Sequence, residues 1–216
     1  MKRLMVFCMI LPVLAVFLVA PLAAKDWYIF DDEVLHGSIS NHDGCFVVSK
    51  ENPYAGDKCL ARELANGDWA WITAIGESDP MNLDLTGIVF EDAFIEFYAD
   101  SGKVAIGYIE LRLGGPSWMP DAQAIVQTDG AEGYEQILVP LTEFMVKDLG
   151  ARAEDLDDLT GGTSKISIWS LGFSPGGDTT LYVDEIRFAD LEDTEIRAVK
   201  PEGKLATAWA AVKSNL

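Results

Sequence analysis

Apolar and polar residues alternate along most of this chain in short runs, without the long three-to-four spacing of an amphipathic helix. Runs rich in Val, Ile, Leu and aromatic residues fall at 45–49 (CFVVS), 58–63 (KCLARE), 69–74 (WAWITA), 93–99 (AFIEFYA) and 104–113 (VAIGYIELRL). Others follow at 124–128 (AIVQT), 135–141 (EQILVPL), 165–173 (KISIWSLGF) and 180–188 (TLYVDEIRF). Residues two apart share one face of a strand, and branched and aromatic side chains suit a pleated surface, so these runs predict strands. Between them lie NPYAGD, SDPMN, DSGK, GGPSWMPD, DGAEG and SPGGD, all turn compositions. Many short strands at this spacing predict an all-β fold, an antiparallel β-sandwich. The acidic segment 143–159 reads either as a helical insert or as a long loop.

The alternation also predicts which faces are buried. In 104–113, Ala105, Gly107, Ile109, Leu111 and Leu113 share the expected core face. Ile106, Tyr108, Glu110 and Arg112 share the other, which sets a ring, an acid and a forked donor side by side. Ile137, Val139 and Leu141 point inward together. The last strand changes phase, with Leu181 and Val183 on one rhythm and Ile186 and Phe188 on the other. A bulge at Asp184-Glu185 reconciles them, and bulges often re-aim a side chain for use.

The two ends of the chain differ from this pattern. Lys2 and Arg3 precede an uncharged run, 4–24, that contains Pro12 and Pro21 and ends in small residues. That composition predicts a secretory signal peptide, 1–24, cut after Ala24; the same run is long enough for an uncleaved anchor. Either reading places the domain 25–190 outside the cytoplasm, secreted to an extracellular or periplasmic space, and no other run spans a membrane once the signal is removed. Residues 191–216 read as a tail. Leu205, Trp209 and Val212 within it share one helical face, so a short helix there either docks on the sandwich or attaches the chain to a cell-envelope partner.

Charge narrows the function further. The formal net charge is −19, and the leader contributes two cations and no acid, so the exported part is more acidic still. Such a field repels nucleic acid and anionic membrane surfaces, which bind through clustered Lys and Arg. Cys8 lies in the leader. Cys45 and Cys59 flank the turn-rich stretch ENPYAG, and a hairpin there brings them opposite each other as an expected disulfide, stabilising by about 3 kcal/mol. Two His and no paired-Cys spacing argue against zinc. His36 and His42 have no nucleophile beside them, and no phosphate or dinucleotide loop appears. Among 35 acids no spacing singles out a catalytic pair, so the chain is expected not to be an enzyme.

Five motifs in order, FDDEV (30–34), NPYAGDKCLAREL (52–64), LDLTGIVFEDAFIEFYAD (83–100), YEQILVPLTEF (134–144) and TTLYVDEIRF (179–188), resemble the galactose-binding-like jelly rolls. Many of these are non-catalytic carbohydrate-binding modules. The resemblance covers about 27–190 and implies a jelly roll that binds a carbohydrate, with a structural calcium. By position the ion would take Asp32 or Glu33, carbonyls around Gly56 and Lys58, and Asp184. Calcium is a hard ion bound by six to eight oxygens, which carboxylates and carbonyls supply. The turn here departs from the pattern in having only Glu51 and Asp57 as nearby acids.

Relatives of this kind bind sugars with aromatic rings on the concave sheet or at loop tips. The C–H faces of a sugar stack on rings, and acids, amides and Arg bond its hydroxyls. The candidates are Tyr108, Glu110 and Arg112 on one strand face, Trp118 in the loop GGPSWMPD, and Trp69 with Trp71, two apart on their strand. A Trp in a sandwich strand is also a common core residue. The function expected is polysaccharide binding by a secreted module. The alternatives are a cell-surface structural or adhesion domain without glycan binding, and a polysaccharide hydrolase or lyase.

Overall fold

The computed structural model describes residues 27–34, 46–72, 83–115 and 119–190. The expected signal segment and tail, Cys45 and Trp118 lie outside them. In chain order the strands are β1 (Trp27–Asp31), β2 (Glu33–Val34), β3 (Val47–Ser49), β4 (Cys59–Leu64), β5 (Ala70–Ile72), β6 (Leu83–Asp84) and β7 (Ala93–Asp100). There follow β8 (Ile106–Gly114), β9 (Ala122–Val126), β10 (Glu135–Pro140), β11 (Met145–Val146), β12 (Ala151–Arg152), the short helix α1 (Leu156–Thr160), β13 (Lys165–Pro175) and β14 (Thr179–Asp190).

Two antiparallel sheets form a sandwich. The first runs β10-β7-β14-β1-β2, with β4 also on β14 and β3 on β4. The second runs β12-β11-β9-β8-β13-β5, with β6 on the far end of β13. Their inner faces meet in one core, where Leu60, Ile95, Phe97, Val183 and Phe188 oppose Ile109, Leu111, Leu113, Leu171 and Phe173. Phe46 and Phe97 both meet Phe173 edge-on. Burial of each such side chain contributes about 2 kcal/mol, which is what binds sheet to sheet.

The strand faces follow the predicted alternation, with one correction. Ile109, Leu111 and Leu113 are buried, but Ala105 and Gly107 are exposed and Ile106 is in the core. The register against β13 shifts between Ser174 and Pro175, so Pro175 faces Ile106 and the phase of β8 changes at its start.

The bulge on β14 lies where the change of phase puts it. Its register against β7 shifts between Asp184 and Arg187, Glu185 takes φ 51°, and Leu181, Val183, Ile186 and Phe188 are all buried. The bulge also marks a seam. On its other edge β14 pairs with β4 as far as Val183 and with β1 from Ile186.

Segment 143–159 is neither one helix nor a plain loop. β11 and β12 pair as a hairpin that extends the second sheet beyond β9. α1 then starts at Asp155, whose carboxylate accepts from Asp158 N–H, and stops at Gly161, left-handed at φ 65°. Two-residue strands are too short to leave a period in the sequence.

The disulfide expectation is corrected. The β3–β4 register sets Cys59 opposite Ser49, and Cys59 is a free, buried thiol donating to the Glu51 carbonyl at 3.0 Å. Burial pushes the thiol's pKa up, which keeps it protonated as that bond requires.

Candidate functional site

Because Ala70, Ile72, Leu171, Phe173, Ile109 and Leu111 fill the core, the alternate residues of β5, β13 and β8 face outward from the second sheet. The register lines them into rows across the strands. Trp71 faces Gly172, Gly172 faces Glu110, and Glu110 faces Ile125. One step along, Ser174 faces Tyr108. One step the other way, Ser170, Arg112, Gln123, Met145 and Arg152 follow one another across five strands. Six strands about 4.8 Å apart make this face about 24 Å wide, long enough for an oligosaccharide rather than a single ring.

Five of the six residues expected to touch a ligand therefore come together, and Trp118 is outside the described residues. Both tryptophans of WAW are on the outer face and not in the core. Trp69 stacks parallel on Trp71, with centroids 5.0 Å apart and planes 11° apart, and Tyr108 meets Trp69 edge-on at 5.0 Å. Trp69 is the outermost ring, 38% exposed.

Polar groups occupy the middle of the face. Gln123 Nε2 donates to Glu110 Oε1 at 2.6 Å, and Arg112 Nη2 donates to Asp121 Oδ2 at 2.6 Å. Lys147 Nζ lies 3.7 Å from the same Asp121 oxygen, and Arg152 pairs with Glu143 at 2.8 Å. The Arg112 guanidinium sits 5.2 Å over the Trp169 ring. Asp121, Gln123, Ile125, Met145 and Trp169 were not among the sequence candidates. β9 begins two residues before the run expected at 124–128, which hid Gln123. Trp169 faces outward because the β13 register slips between Ile168 and Ser170. The apolar spacing Ile166, Ile168, Leu171, Phe173 was the available signal.

The outer face of the first sheet is occupied differently. Glu96, almost fully buried, accepts from Arg187 Nε at 2.6 Å, Gln136 Nε2 at 2.5 Å and Tyr98 Oη at 3.1 Å, so these groups are spent on one another.

The acidic cluster expected to hold calcium also assembles, at the seam of β14. Asp32 turns the β1–β2 hairpin at φ 55°, and its Oδ1 accepts the N–H groups of Asp57 and Lys58, each at 2.7 Å. Gly56, at φ 60°, touches the same carboxylate so closely that a side chain there would overlap it. Asp184, fully buried on the bulge, accepts at Oδ2 from Tyr54 N–H (2.8 Å) and Ala55 N–H (3.3 Å) and at Oδ1 from Glu185 N–H (2.8 Å). Burial pushes the Asp184 pKa up and outweighs the three amide bonds that lower it, and Asp32 nearby adds to the rise. Tyr54 stacks on Tyr98 at 3.8 Å, and Tyr134 Oη donates to Asn52 O at 2.6 Å, which secures the turn from outside.

Five backbone N–H groups point at the two carboxylates, two at Oδ1 of Asp32 and three at the oxygens of Asp184. Glu33 is exposed and pairs across the hairpin with Asp31. No group of three or more His, Cys, Asp or Glu among the described residues converges on a metal position. Melting in calcium and in chelator tests the expected ion: a midpoint a few degrees higher in calcium supports it, and an equal midpoint removes it.

No protein-family model matches the chain, and neither does any curated protein. Solved structures do. A family 30 carbohydrate-binding module aligns with a TM-score of 0.50 at 15% identity, over 76% of this chain and 98% of that one. A second structure of a family 30 module gives 0.49 at 13% identity over 76% and 87%. The family 11 module of a cellulosomal cellulase of Clostridium thermocellum gives 0.47 at 13% over 78% and 96%. The chain is a β-sandwich jelly roll, a fold it shares with the first of these modules. Identities this low speak to the fold alone.

Proposed function

We propose that this is an exported, non-catalytic module that binds an uncharged polysaccharide chain along the outer face of its second sheet. The observation that carries the proposal is the exposed Trp69 ring, backed by Trp71, flanked by Tyr108, and in line with Glu110, Arg112 and Gln123. Such a ring offers a flat apolar surface to the C–H face of a sugar, and each stacking contact contributes about 1 kcal/mol. The polar row beside it is held by its own hydrogen bonds, so its donors and acceptors are set before a ligand arrives. The sandwich shared with a family 30 carbohydrate-binding module supports the same reading.

Charge selects a neutral chain. On this face Arg112 and Lys147 share the Asp121 carboxylate, and Arg152 pairs with Glu143. A polyuronate would meet a protein of net charge −19. Glu110 and Asp121 likewise serve their neighbours, in keeping with a binding role.

Electrophoresis through gels cast with neutral or acidic polysaccharides tests this. Retardation is expected in a neutral glucan or mannan gel and not in a polyuronate gel, without release of reducing ends. Free migration in every gel would overturn the proposal. Release of reducing ends would replace it with an enzyme, and glycan-independent capture by cell envelopes would replace it with an adhesion role.

A further inference from the structure

We infer that Gly172 is the positioning residue of this face: its missing side chain is the seat on which Trp71, and through it Trp69, is held. The inference rests on the proposed binding role for its consequence, though not for its geometry.

Glycine inside a strand weakens it, so its presence in the middle of β13 asks for a reason. A special backbone angle is not the reason, since Gly172 is not among the residues with positive φ. Close approach is. A Cβ built on Gly172 would overlap Cε3 and Cζ3 of Trp71 and come within 3.0 Å of Cη2. The six-membered ring of Trp71 therefore occupies the space that a side chain would take. Trp69 lies parallel on that ring, 11° from it. The result is three layers, glycine backbone, Trp71 and Trp69, and the height and tilt of the outer ring are set by the innermost layer.

The device occurs twice on the face. A Cβ on Gly114 would fall 2.6 Å from Nε1 and 2.8 Å from Cε2 of Trp169, and that ring lies under the Arg112 guanidinium. The groups presented outward, Trp69 and Arg112, thus each rest on a tryptophan seated over glycine. A Cβ on Gly114 would also fall 2.9 Å from the Pro120 carbonyl oxygen, so Gly172 is the cleaner site to test.

The test compares wild type, Gly172→Ala, Trp71→Ala and the double variant by circular dichroism, melting and retardation in a neutral polysaccharide gel. Two stacked indoles couple and give a paired band of opposite signs. Gly172→Ala is expected to lose that band and to weaken polysaccharide binding about tenfold or more. In the Trp71→Ala background the same change is expected to add nothing to the loss or to the melting shift. Should Gly172→Ala fail to fold while the double variant folds, the clash with Trp71 is the cause, which supports the seat. An intact band with binding within about twofold of wild type overturns it, and so does an equal melting cost in both backgrounds or a double variant that also fails to fold. If wild type binds no polysaccharide, the function falls, and the band and the melting cycle still decide the seat.

Discussion

Asp184→Ala is expected to lower the stability of the sandwich by about 3 kcal/mol, measured by chemical denaturation. The side chain is fully buried and accepts from three backbone N–H groups, so its removal strands three donors away from water. Its place multiplies the effect. β14 changes partner from β4 to β1 at this residue, and the 54–58 turn closes the gap by bonding Asp184 on one side and Asp32 on the other. Loss of less than about 1 kcal/mol would show that the turn holds without it.

Protonation gives a second reading of the same residue. Burial raises the folded-state pKa of Asp184 above its unfolded value, so the folded protein binds this proton more tightly. That contribution to stability is fully present below the unfolded value and is lost as pH rises through the folded one. The stability of wild type minus that of Asp184→Asn is therefore expected to fall with rising pH across the carboxylate range. A rising difference would mean that the amide bonds outweigh burial.

Trp69→Ala is expected to abolish retardation in a neutral polysaccharide gel while leaving the melting midpoint near that of wild type. The ring is the outermost of the face and is more than one-third exposed, so its loss opens no core cavity. It also offers a flat aromatic surface to a ligand, and aromatic anchors of this kind dominate binding, at about 2 kcal/mol or more when truncated. Retardation like that of wild type, in a folded Trp69→Ala protein, would move the site elsewhere.

Much of this was legible in the sequence because strand alternation and turn residues are local signals. The phase change across Leu181, Val183, Ile186 and Phe188 located the bulge to the residue, and the VAIGYIELRL rhythm sent Tyr108, Glu110 and Arg112 outward together. What escaped was set by tertiary register. Whether the WAW tryptophans were core or surface depended on which way β5 pairs with β13, and only that pairing reveals that Gly172 lies under Trp71. Cys59 looked paired because the hairpin between β3 and β4 was foreseen, but the register gives it Ser49 as its neighbour. The acids of FDDEV and the closing strand were rightly brought together. The direction of the amides between them is a property of the folded turn that composition does not carry.

The most direct measurement is a titration of the labelled protein with a neutral oligosaccharide, followed through side-chain and backbone nuclear magnetic resonance signals. Shifts are predicted to gather on Trp69, Tyr108, Glu110, Arg112 and Gln123, with the Tyr54–Tyr98–Tyr134 cluster on the other sheet unmoved. Saturable shifts confined to that tyrosine cluster, or none on the tryptophan face at any concentration, would contradict the account.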